Sequence, residues 1–195
     1  MKKLILTITT LLGLTGGISA QVAIQCKDLM VIYAGIPATF KAGASGEYTD
    51  VIATPSTVLA TSTQIGSYII VGATGKDKNG KTVNFPANKY LVKKAPKPDL
   101  YWNGVPDNGQ ANKSGGALSC RYGDNVPFDP SLAQFEIVNY TITLNGIKGS
   151  LEGSGSSISS AHLEILKSAA EGSIVTISVR VSGPYEGLVN STFKI

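Results

Sequence analysis

One histidine, His162, two cysteines, Cys26 and Cys120, and thirteen carboxylates are the reactive side chains of this 195-residue sequence. A Ser-His-Asp arrangement would have to be assembled around His162. That residue falls in the first turn of an expected helix, where a structural or solvent-facing role is commoner than general-base work. Glu152, Glu164, Glu171 and Glu186 are the material for a carboxylate pair of the glycoside-hydrolysing kind, and read more simply as solvated charges. No Gly-x-Ser-x-Gly elbow, His-Glu-x-x-His pair, phosphate loop or Cys-His metal spacing occurs. Asp77 and Asn79 match the first two ligands of a calcium loop, but the downstream bidentate carboxylate is missing. The residue types point to a chain that is not an enzyme and needs no cofactor or metal.

Binding chemistry has more material. Tyr101 and Trp102 are adjacent, and in a strand adjacent side chains point to opposite faces. Trp102 is read as a core anchor, because a large aromatic contributes so much buried area; the other reading, with Asn103 and Asp107 nearby, is an aromatic platform for a sugar ring. Segments 105–116 and 146–157 are rich in Gly, Ser and Asn and are expected to be long surface loops where contacts are made. Tyr101, Trp102, Asn112 and Lys113, together with Leu151 in the second loop, are the candidate partner-binding residues. Cys26 and Cys120 stand near the starts of two modules. They are either separate thiols or a disulfide, which requires a Cα separation of at most ~7 Å.

The elements that position these residues are short, β-branched and closely punctuated by 22 glycines, which predicts an all-β chain. Expected strands are 22–25, 29–33, 38–42, 49–53, 67–72, 81–85 and 90–93, then 100–103, 117–121, 134–144, 173–182 and 188–195. The first seven suggest an immunoglobulin-like sandwich. Asn79-Gly80 predicts a tight hairpin turn, because it supplies positive φ. Alternation in 134–144 slips at Val138-Asn139, which predicts a bulge. Ser160 is the expected cap of a helix over 161–171, with Gly172 as its stop and Leu163, Leu166 and Ala170 on one face. Pro96 and Pro98 each fix φ and lack an N–H, so no ladder continues through them. They divide the chain into two tandem β-sandwich-like domains, 21–96 and 97–195, the second with one short helix.

Lys2 and Lys3, the apolar run 4–14 and the small residues 16–20 have the layout of a cleaved secretory signal, with the cut after Ala20. The run is shorter than the ~20 residues a spanning helix needs, so export to the periplasm or beyond is expected, with no transmembrane segment in the mature chain. Removing Lys2 and Lys3 from 17 basic residues leaves 15 against 13 acidic ones. A nearly neutral chain without an Arg-rich stripe is a poor match for nucleic acid.

Residues 88–104, NKYLVKKAPKPDLYWNG, resemble the joint between the third and fourth domains of the gliding-motility and type IX secretion protein family GldM (PorM in other members). Residues 23–43 resemble the opening of the third domain, through Leu29-Met30-Val31-Ile32-Tyr33 and Gly35. The closing segment, a helix, a β-branched strand, Gly183-Pro184, Gly187 and a final strand, resembles the end of the fourth. The family's membrane helix and helical domain have no counterpart, and the Asn after its Tyr-x-Gly segment is absent from GIPATF. The resemblance implies a periplasmic, non-enzymatic scaffold or adaptor that binds envelope proteins, outer-membrane ring components among them, with a homodimer as a further expectation. The rival from another class is a secreted carbohydrate-binding β-sandwich module. A type IX cargo is disfavoured, because no sorting domain follows the last expected strand.

Overall fold

The computed structural model describes residues 22–25, 30–44, 48–146 and 148–195. The expected leader and Cys26 lie outside the described residues, and with Cys26 the choice between separate thiols and a Cys26–Cys120 disulfide. Strands dominate: β1 (Val22–Gln25), β2 (Val31–Tyr33), β3 (Ala38–Thr39), β4 (Lys41–Ala44), β5 (Thr49–Thr54), β6 (Thr57–Val58), β7 (Tyr68–Lys76), β8 (Thr82–Lys93), β9 (Asp99–Trp102), β10 (Leu118–Arg121), β11 (Glu136–Leu144), β12 (Leu151–Ser154), β13 (Ile174–Ser182) and β14 (Gly187–Lys194). The α-helix among them is α1, Ser160–Ser168, between β12 and β13. Among the described residues the chain is all-β with one short α-helix, its sheets in a sandwich-like arrangement.

Two compact units result. The first comprises Met1–Tyr33 and Pro37–Lys93, the second Ala34–Ile36 and Lys94–Ile195. The division at Lys93/Lys94 lies three residues before the Pro96 joint expected from the sequence, and the second unit also takes in a short piece from the start of the chain. The reason is local packing. Ala34, Ile36 and Ala95 are buried, and Gly35, at φ +78°, approaches Pro184 so closely that a Cβ there would stand 2.8 Å from the proline Cα. The Tyr122 hydroxyl donates to the Pro96 carbonyl at 2.7 Å.

In the first unit a four-stranded sheet has the order β2-β8-β7-β5. β2 runs parallel to β8, and the β8-β7 and β7-β5 pairs are antiparallel. The expected strands 81–85 and 90–93 are one strand. Pro86, which cannot donate to a ladder, is accommodated because the register shifts between the Val71↔Asn88 and Ala73↔Phe85 pairs. The β7-β8 turn places positive φ on Gly80 alone, with Gly80 N–H donating to the Asp77 carbonyl at 2.9 Å. The tight hairpin expected at Asn79-Gly80 is present as a three-residue turn in which glycine supplies the positive φ. Asp77 is consumed by this turn: its Oδ1 accepts from Asn79 N at 2.8 Å and Lys81 N at 2.9 Å. The inner face buries Ile32, Val71, Ala73, Tyr90 and Val92, and Tyr90 meets Phe40 edge-on at 4.8 Å between centroids.

The second unit is built on the antiparallel sheet β12-β11-β13-β14, beside the two-stranded ladder β9-β10. Alternation along β13 buries Val175, Ile177, Val179 and Val181. Each such side chain contributes about 1.5–3 kcal/mol on leaving water. β11 slips register between Ile137 and Asn139, at the position where the sequence alternation breaks. The cap of α1 is Ser159, one residue before the expected Ser160, and its hydroxyl accepts from His162 N at 3.3 Å. The helix ends at Ser168 rather than Glu171. Leu166 is buried and Leu163 and Ala169 are half-buried, so Ala169 takes the place expected of Ala170, which is exposed.

Candidate partner-binding surface

Trp102 is fully buried. Its ring meets Phe193 edge-on at 5.7 Å, and its indole N–H donates to the Gly115 carbonyl at 2.8 Å. No ring face is left for a sugar or a partner, so Trp102 leaves the set of contact residues. Tyr101 points to the other side of β9 and is half-buried, with the Arg121 guanidinium 4.1 Å from its ring centre.

Segment 105–116 is not a free loop. Asn103 donates through Nδ2 to the carbonyls of Asn112 at 3.0 Å and Gly115 at 2.6 Å, and accepts at Oδ1 from Ala117 N at 3.0 Å. Asn112 folds its own turn, its Oδ1 accepting from Ser114 N at 2.9 Å and Ser114 Oγ at 2.7 Å. Lys113 Nζ donates to the Ala169 carbonyl at 2.8 Å, which satisfies an orphan acceptor at the end of α1 where a cation is favoured. These contacts form one wall of an open groove of about 720 Å³ whose lining includes Asn112, Lys113, Lys167 and Glu171. Asn112 and Lys113 are thus brought together, while Tyr101, Trp102 and Leu151 lie outside this groove.

Segment 146–157 contains a strand. β12 pairs with β11 in the register Asn139↔Ser154 to Ile142↔Leu151, and Leu151 is half-buried against the core. The expectation of a mobile loop is corrected here. LEGS is a short strand with no β-branched residue, so propensity does not announce it; the available signal is the Leu-x-Gly alternation opposite Tyr140. The Tyr140 hydroxyl accepts from Ser159 N at 2.9 Å and meets His162 Nδ1 at 3.1 Å. His162 is therefore part of the join between α1 and β11.

The two edges of this sheet differ. Residues 107–111 run along β14: Asn108 N donates to the Thr192 carbonyl at 2.6 Å, Ala111 N to the Lys194 carbonyl at 2.8 Å, and Lys194 N to the Gly109 carbonyl at 3.0 Å. Asp107 Oδ1 adds an acceptor for Thr192 N at 2.6 Å. Among the described residues β12 joins no ladder besides that with β11, and Glu152 and Ser154 are exposed. The β14 edge is covered along 192–194, whereas on the other side only the four residues of β12 lack a second ladder. The chain just beyond them pairs again, Leu118 N donating to the Ser156 carbonyl and Ile158 N to the Gly116 carbonyl, both at 2.8 Å. A short unladdered edge of this kind admits an added strand.

Cys120, half-buried on β10, has its thiol pushed up to about 12, by burial first and the Asp99 carboxylate second. It stays protonated at neutral pH and is a poor nucleophile. Burial, with Tyr185 adding, also pushes the Tyr122 phenol upward, which keeps it a donor to Pro96. No protein-family model matches the chain, and a comparison with curated proteins finds no relative.

Proposed function

We propose that this protein is a secreted, non-enzymatic scaffold or adaptor of the cell envelope, and that it binds a protein partner through its second unit in a gliding-motility or type IX secretion-like assembly. The observation that carries the reading is the contrast between the β14 edge, covered by residues 107–111, and β12, whose four residues have β11 as their one ladder partner among the described residues. An extended segment of a partner adds to such an edge by main-chain hydrogen bonds, and the exposed Glu152 and Ser154 then contribute selectivity. The groove at Asn112 and Lys113 is a second contact surface of the same unit. Support for the envelope setting comes from the leader-like first twenty residues and from the resemblance of residues 88–104 to the GldM joint. The carbohydrate-binding alternative loses its main platform with the burial of Trp102.

The test is capture from envelope extract by the mature chain 21–195, beside the double variant Glu152→Arg/Ser154→Arg. Recovery of outer-membrane ring or motor components by the wild type, lost in the variant at an unchanged thermal melt, supports the proposal. Retention by a polysaccharide column with no protein partner overturns it in favour of the carbohydrate reading, and equal capture by the variant removes β12 from the site.

A further inference from the structure

The four-stranded sheet of the first unit has one face turned to solvent that reads as apolar and cationic together. Across it, Val31, Leu91 and Tyr68 form one row in register, and Ile70 pairs with Lys89 in the next. Ile52 stands opposite Thr74 on the same face. Tyr68 is 63%, Ile70 59% and Ile52 60% exposed; Tyr68 and Ile70 adjoin Leu91 and Lys89 across the ladder, and Ile52 stands four residues further along β7, beside Thr74. The lysines Lys76, Lys89 and Lys93 alternate onto this face from β7 and β8 and are exposed. Lys76 reaches Asp50 at 3.5 Å; among the described residues Lys89 and Lys93 have no carboxylate within ion-pair reach.

The net positive charge belongs to this half of the chain. Residues 21–93 carry seven lysines and no arginine against four carboxylates, whereas residues 94–195 carry six lysines and two arginines against nine. A second copy docked face to face would bring two sets of Lys89 and Lys93 into one interface without a carboxylate to pair them, which disfavours self-association through this face. The cation type separates the remaining occupants. Protein interfaces are depleted in lysine and enriched in arginine. At a bilayer surface lysine extends its ammonium to the headgroups while its stem lies on apolar groups, and tyrosine sits at the headgroup boundary.

We propose that the outer face of the β2-β8-β7-β5 sheet docks on an anionic lipid surface, with Tyr68, Ile70 and Ile52 entering the headgroup region and Lys89 and Lys93 contacting the negative headgroups. Association of this kind is peripheral, weakened by salt, and separate from strand addition at β12. Reversing two lysines that face an anionic surface lowers binding by about tenfold or more.

The experiment is co-sedimentation of the full mature chain with vesicles of phosphatidylcholine alone, or with about 30 mol% phosphatidylglycerol, at low salt and at about 0.5 M salt. Expected is binding to the anionic vesicles alone, lost at high salt. It falls about tenfold or more in Lys89→Glu/Lys93→Glu and clearly in Tyr68→Ser/Ile70→Ser, while Glu152→Arg/Ser154→Arg retains it. All these side chains are exposed, so the thermal melts are expected to coincide. Absence of binding to anionic vesicles, equal binding to neutral ones, or variants that bind as the wild type overturns the proposal. Concentration-dependent self-association abolished by Tyr68→Ser/Ile70→Ser overturns it as well and assigns the face to a second copy.

Discussion

The ring of Tyr140 on β11 lies across Gly153, its register partner on β12, in the space that any side chain's Cβ would occupy. A strand with a glycine at that position lets the phenol pass over it to the start of α1, where it accepts from Ser159 N. One contact thus ties the open edge strand, the central sheet and the helix cap. Gly153→Ala is expected to destabilise the protein by about 1–3 kcal/mol, because the ring must leave its place. Urea denaturation measures this, and an unchanged midpoint would show that the ring moves aside without cost.

The same hydroxyl fixes the histidine. Tyr140 Oη already receives the Ser159 N–H, so its single proton is available for His162 Nδ1, 3.1 Å away. Neutral His162 is expected to carry its own proton on Nε2. Nitrogen chemical shifts of the ring distinguish the two tautomers, and a population with Nδ1 protonated at high pH contradicts the network. Tyr140→Phe leaves Ser159 N without its acceptor and is expected to cost about 1–3 kcal/mol.

Asn103 is the residue on which segment 105–116 depends. Asn103→Ala removes bonds to Asn112, Gly115 and Ala117 at once, and is expected to cost about 1–3 kcal/mol. Asn112→Ala removes only its bonds to Ser114 and is expected to cost less. Deleting residues 113–116 takes away the acceptor of the buried Trp102 N–H and is expected to prevent native folding rather than to weaken binding selectively. Thermal melts of the three variants order these effects. Equal melts for the two alanine variants would mean that the segment holds its shape without Asn103.

How far such features can be read from the sequence depends on what kind of signal they leave. The bulge after Ile137 shows because a slip in a period-two pattern puts the wrong side chains inward. The long strands β11, β13 and β14 are legible for the same reason, and Trp102 because of the area a large aromatic buries. β12 is barely so, since four residues with one large apolar side chain leave no more than a single Leu-x-Gly alternation to count. Segment 105–116 is the surface loop its composition indicates, but glycine, serine and asparagine do not reveal where its backbone groups find partners. The two edges of the sheet are likewise invisible, because which edge is covered is settled by residues 107–111 folding back on β14 some eighty positions later.

Cys120 gives a prediction in pH. Its folded thiol is raised from 9.0 to about 12, first by burial and then by Asp99. A raised pKa means that the folded chain holds the proton more tightly than the unfolded one. The contribution is fully present below pH 9.0, and is lost as pH rises from there toward about 12, where the unfolded thiol ionises and the folded one does not. Cys120→Ala removes this component and serves as the reference for every other titrating group. The stability difference, wild type minus variant, is therefore expected to be flat from neutral pH to about 9 and to decline above it, read from urea midpoints of the reduced protein. Iodoacetamide at mildly alkaline pH is correspondingly expected to label Cys120 slowly in the folded chain and readily in urea. A stability difference that stays level through the alkaline range, or equal labelling rates in the two states, would show that the thiol is neither shielded from water nor opposed by Asp99.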